Sequence, residues 1–279
     1  MRYASVFQLM IHDIQRLIDQ SGVSTVSIAF YDMETRSRML IQPDLSYHAA
    51  STIKLCIMME LYRQAEERAF WLDDYLTVHN VFRSIADGEP YSLLTHNDSD
   101  TDIYKHIGSV IPARDLIFRM ITLSSNLATN ILIERVTAAR VTQFMKKLGA
   151  RDLLILRGVE DYRAYEQGLN NRASARSLMR ILVRLAERSV VSPAASEEML
   201  KIMCQQQFRE GIPALLPGKI QIAHKTGSNE YLYHDAGIVY PPRRKPYILV
   251  VMTQGLHEET EAPLLTAEIS RFIYDKIAQ

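Results

Sequence analysis

Near the carboxyl end of the chain, Ile220 to Lys225, Asp235 to Tyr240 and Tyr247 to Thr253 read as three consecutive strands. The segments between them are too short to carry a crossover helix, so neighbouring strands must run antiparallel. A strand pair is also written near the amino end. There Val26, Ile28 and Phe30 alternate with Ser27, Ala29 and Tyr31, and an apolar run at Met39 to Ile41 follows a polar turn at Asp32 to Ser37. Between the two groups the apolar spacing is helical. A sheet built from both ends of one chain must close around what lies between, which predicts an α+β fold: a mainly antiparallel sheet domain from 1–45 and 208–279, and an inserted all-helical domain over 46–207. Amphipathic helices flank the sheet at both termini, carrying Met10, Ile14 and Leu17 at one end and Leu265, Ile269 and Ile273 at the other.

Composition narrows the partners. The chain has 279 residues, and a 47% hydrophobic content is ample for a packed core. Lys plus Arg total 32 and Asp plus Glu total 32, so no net field draws nucleic acid or an anionic membrane. No apolar run is long enough to span a bilayer. No signal peptide is evident either, which points to the cytoplasm unless a leader preceded Met1. The two cysteines, Cys56 and Cys204, form no ligand spacing, and no metal or cofactor is expected.

Chemistry is concentrated in three short stretches. Ser51 stands where an apolar helix through Ile57, Met58 and Leu61 begins, and Lys54 lies three residues on, on the same helix face. A serine hydroxyl needs a nearby base to act as a nucleophile, and a helix start offers free N–H groups to a developing oxyanion. Ser124-Ser125-Asn126 breaks two helices, and Lys225-Thr226-Gly227 ends a strand. Singly, each stretch is as well explained by a helix cap or a turn glycine. Together they supply a nucleophile, Ser51; a base, Lys54, if burial and a nearby charge lower its pKa; a second hydroxyl, Ser124, to relay the proton; Asn126 for a substrate amide; and Lys225 with Thr226 for a substrate carboxylate. His224, His234 and Asp235 invite comparison with a Ser-His-Asp triad, but no G-x-S-x-G elbow accompanies them, and both histidines are read as supporting residues.

In this order the motifs resemble those of the class A β-lactamase and penicillin-binding protein superfamily of serine hydrolases. The resemblance implies an oxyanion hole of the Ser51 and Ser228 N–H groups, and a substrate-binding role for Gly227. It also implies a Glu-x-x-x-Asn pair in an omega loop to hold the hydrolytic water. Glu166 to Asn170 matches that spacing, and Glu160 and Asp161 are rival carboxylates. Two departures stand out. Ser125 replaces the family's Asp, and the loop looks short, with no acidic partner to pin its far end. The expected activity is β-lactam hydrolysis through acyl-Ser51, with a D,D-peptidase-like or other amidase or esterase as the alternative enzyme, and a penicillin-acylated sensor without turnover as the alternative of another class. In each case the partner is a small molecule.

Overall fold

The computed structural model describes residues 2–256 and 258–277, with side chains from residue 9 onward. Its helices are α1 Arg2–Gln20, α2 Ile53–Glu66, α3 Ala113–Thr122, α4 Asn126–Val136, α5 Ala138–Lys147, α6 Tyr162–Glu166, α7 Ala175–Ala186, α8 Pro193–Met203 and α9 Glu261–Ile277. Strands β1 Thr25–Asp32 and β2 Arg38–Ile41 come early, and β9 Gln221–Asn229, β10 Leu232–Tyr240 and β11 Tyr247–Gln254 come late. Six short strands lie between: β3 Tyr47–His48, β4 Tyr75–Thr77, β5 Phe82–Arg83, β6 Pro90–Tyr91, β7 Val110–Pro112 and β8 Arg172–Ala173.

The long strands form one antiparallel sheet in the order β2-β1-β11-β10-β9, so the two ends of the chain meet where β1 pairs with β11, Val26 opposite Thr253 and Phe30 opposite Leu249. Both faces are covered, and β11 is buried at every position but its last. That is why it reads as a continuous apolar run rather than an alternation. Ile28, Phe30, Leu249 and Val251 point to the side of α1 and α9 and pack with Met10, Ile14, Leu265 and Ile269. Ala29, Ile248, Val250 and Met252 point the other way.

On that second side the separation expected from the sequence is less complete. Helix α7, inside the 46–207 segment, packs on β11, β1 and β10, and its buried Leu178, Ile181, Leu182 and Leu185 belong to the same cluster as Ile248 and Val250. One continuous core therefore links the sheet to the helical half. At its centre runs α2, buried from Ile53 through Tyr62, as a helix with apolar residues on every side must be.

Candidate active site

Ser51 sits in a single turn of 3₁₀ helix, Ala50–Thr52, that runs straight into α2. The turn is held from both sides. His234 on β10 places its Nε2 3.0 Å from the carbonyl oxygen of His48 and receives the Thr253 N–H on Nδ1, while the Ala50 N–H reaches His48 Nδ1 at 3.2 Å. Burial, opposed by the backbone carbonyls of His48 and Tyr233, pushes the His234 pKa down to about 4, so the ring is neutral. From the strand side, Gly227 on β9 passes so close that a Cβ there would stand 2.9 Å from the Ser51 nitrogen and 3.0 Å from that of Thr52. Only glycine lets the edge strand lie against the backbone of the helix start. Ser228, the next residue, borders the same cleft as Ser51.

Lys54 is fully buried, and its amine is triply engaged. It donates to Ser124 O at 2.6 Å, Ser124 Oγ at 3.1 Å and Asn126 Oδ1 at 2.8 Å. Burial drives its pKa down from the ordinary lysine value to about 7, against the opposing charges of Asp98 and Glu160. Lys225, also buried, reaches the same Ser124 Oγ at 3.0 Å and the Thr226 carbonyl at 2.8 Å. Its pKa is held well below that of a free lysine, by burial first and then by the Lys54 charge. Two amines on one hydroxyl oxygen disfavour each other's protons, which is what a proton relay requires. No hydrogen bond joins Ser51 Oγ to another side chain among the described residues.

The turn that presents Ser124 takes a backbone form L-residues rarely adopt, with φ +55° at Ser124. Ser125 caps α4 by accepting the Ala128 N–H, and the charge missing from this position comes from elsewhere in the chain. Asp98 Oδ2 accepts the N–H groups of Asn126 and Leu127, each at 2.9 Å, and the Tyr104 hydroxyl at 3.1 Å. A carboxylate thus sits on the positive end of α4, as its dipole favours. Asp98 has no local sequence signal as a brace. It lies in the acidic Asn97 to Asp100 stretch, which by itself reads only as a loop.

Asn126 continues the chain of contacts to Glu160, donating from Nδ2 to Oε1 at 2.7 Å. Glu160 Oε2 is buried and has no hydrogen-bond partner among the described residues. Burial raises the Glu160 pKa, partly offset by the Asn126 bond, and its backbone is left-handed at φ +58°. Ser51, Asn126, Glu160, Tyr162, Tyr165 and Tyr231 line a cleft of about 380 Å³.

A family model described as the beta-lactamase enzyme family matches residues 10–277. The chain belongs to that family. A β-lactamase of Streptomyces fradiae is 25% identical over 234 residues, 74% of this chain and 75% of that protein. Among solved structures, a β-lactamase from Chitinophaga pinensis superposes with a TM-score of 0.84 at 20% identity, over 96% of this chain and 98% of that one. An acyl-enzyme complex of a PBP-A variant with penicillin G does so with a TM-score of 0.80 at 23% identity, over 96% of each chain. At these identities the structures speak for the fold.

Against the family pattern, the loop is where the sequence reading and the geometry part. Glu166 is the last residue of the short helix α6, exposed, and does not border the cleft; Asn170 Oδ1 is taken by Arg157 Nη2 at 2.9 Å. The structure brings Glu160, not Glu166, to Asn126. The reason is the path of the chain. Asp161 caps α6 and anchors its start, accepting from Ser84 Oγ at 2.7 Å and the Ile85 N–H at 3.0 Å, so Glu160 just before the helix borders the cleft while Glu166, its last residue, does not. The far end is pinned by amides rather than an acid. Asn171 receives the Leu156 and Arg157 N–H groups and donates to Arg157 O, while Asn130 bonds both N–H and carbonyl of Val159. Gly158 is required beneath, since a Cβ there would meet Asn130 Oδ1 at 2.2 Å.

Proposed function

We propose that this β-lactamase-like serine hydrolase opens β-lactam amides through an acyl-Ser51 intermediate. The observation that carries the reading is the buried Lys54 amine, pKa near 7, held between Ser124 and Asn126 with Glu160 on the far side of that same amide. Ser51 Oγ attacks the carbonyl carbon as neutral Lys54 takes its proton. The oxyanion lies against the N–H groups of Ser51 and Ser228. Protonated Lys54 returns the proton through Ser124 Oγ to the leaving nitrogen, and Lys225 with Thr226 holds the substrate carboxylate. Asn126 steadies the acyl amide. Glu160, with one oxygen unpartnered and its pKa raised by burial, then deprotonates the water that cleaves the ester.

One observation favours a second reading, slow turnover of the peptidase or sensor kind. Asn170, expected to help hold the hydrolytic water, is committed to Arg157. Intact-mass analysis after mixing with a penam tests the function. The expected result is an adduct of protein plus intact penam that decays with release of the opened product, and that Ser51→Ala never forms. A persistent adduct supports the second reading, and an adduct on another residue overturns both.

A further inference from the structure

The chain's charges balance in total but are not spread evenly. Residues 135–151 hold five Lys or Arg and residues 167–186 hold four Arg, and neither segment has a carboxylate. The fold brings the two together. Arg180 Nη1 donates to the Gly149 carbonyl at 2.9 Å, between Lys146 and Lys147 on one side and Arg151 on the other, and Leu154 pairs with Arg172. Along α7 and its approach the arginines recur every four residues, at Arg172, Arg176, Arg180 and Arg184. Four residues overshoot one helical turn by only about 40°, so those within α7 share a face. The other face is buried through Leu178, Ile181, Leu182 and Leu185, and the exposed residues of the helix are Arg180 and Arg184.

This pattern does not serve the helix itself. Like charges four apart on a helix repel, and a cation in the first turn opposes the helix dipole. Two carboxylates offset part of the charge at Arg176: Asp44, its ion-pair partner, and Asp152, which accepts from Ser177 Oγ at 3.2 Å. The side chains of Lys146, Lys147, Arg151, Arg172 and Arg184 have no hydrogen bond or ion pair among the described residues. They are free to meet anions from outside, and guanidinium groups match phosphate oxygens two at a time.

We propose that the arginine face of α7, with the end of α5, docks the protein on the phosphate headgroups of an anionic lipid bilayer. Lipid fits better than nucleic acid. The face is the convex outside of a helix, and Phe144, the one aromatic in the two segments, is buried, so bases find neither groove nor stacking platform. A plane of headgroups needs neither. At the edge of the face Leu45, next to Asp44, adds an exposed apolar side chain. Sedimentation with vesicles tests this, comparing phosphatidylcholine alone with a mixture of phosphatidylcholine and phosphatidylglycerol. Binding should appear with the mixture only and weaken as salt is added. Each arginine near such a surface is worth about fivefold in partitioning, so Arg180→Gln with Arg184→Gln should lower it about 25-fold. Arg180→Lys with Arg184→Lys should keep most of it, and Lys219→Gln with Lys245→Gln, which removes as much charge elsewhere, should change it little. Absence of binding to the mixture, equal losses in the two glutamine pairs, or binding to a labelled DNA duplex with none to vesicles each overturns the proposal. These residues lie outside the Ser51 site, so the outcome is independent of the reaction.

Discussion

At Lys54 an amine without water around it has an ordinary lysine's chemistry inverted. Burial holds its pKa near 7, so a large neutral fraction exists at physiological pH and a proton can be taken from Ser51. The sign is definite. Below about 7 the amine is protonated and cannot accept, so acylation should fall about tenfold for each pH unit on the acid side and level off above the pKa. Stopped-flow acylation rates across that range check it, and a flat acid limb places the base elsewhere. Lys54→Ala should slow acylation by roughly 10²–10⁴-fold while the dissociation constant of the initial complex changes less. That Ser51 and Lys54 share one helix start was legible in the sequence, because their relation is local. Glu160 was visible only as one of several carboxylates. Which of them reaches Asn126 depends on where Asp161 anchors the loop, and Asp161 is anchored by Ser84 and Ile85, far away in sequence.

Between elements, the decisive contact is β9 against the helix start. The K-T-G reads as a strand end, but β9 continues through it to Asn229, so that Gly227 stays in register opposite His234. Gly227→Ala inserts a methyl 2.9 Å from the Ser51 nitrogen and must part strand from turn. The expected cost is about 1–3 kcal/mol of stability, from overpacking. Acylation should fall further, by about tenfold or more, because donors to an oxyanion lose their worth once misplaced. Denaturant midpoints and acylation rates measured on the same preparation check both, and a loss of stability without loss of rate would separate the glycine from the site. The brace at Asp98 shows what pattern reading misses. Its bonds to Asn126 and Leu127 replace a charge absent at Ser125, and nothing in the spacing joins those positions.

Across the molecule, one buried cluster joins the sheet to the helices inserted between its strands. An amphipathic pattern tells that α7 has a buried face and not what covers it, and the cover proves to be the sheet. Since one cluster runs from Ile57 and Met58 through Leu182 to Ile248 and Val250, calorimetry should show one unfolding transition with matching calorimetric and van't Hoff enthalpies. Two resolved transitions would mean that the halves fold separately. Leu182→Ala, fully buried between them, should cost about 2–5 kcal/mol and move the whole transition.

The site itself lies where the halves meet, with Ser51, Lys54, Ser124, Asn126 and Glu160 from the helical half and Lys225 to Ser228 from the sheet. In the proposed reaction Glu160 drives turnover of acyl-Ser51. The most direct measurement follows adduct mass against time after a penam is mixed with the parent, Glu160→Gln and Glu166→Gln. The adduct should be transient in the parent and in Glu166→Gln, whereas in Glu160→Gln it should form at a measurable rate and outlast the parent's by orders of magnitude. A long-lived adduct in Glu166→Gln with rapid release in Glu160→Gln would contradict this role for Glu160.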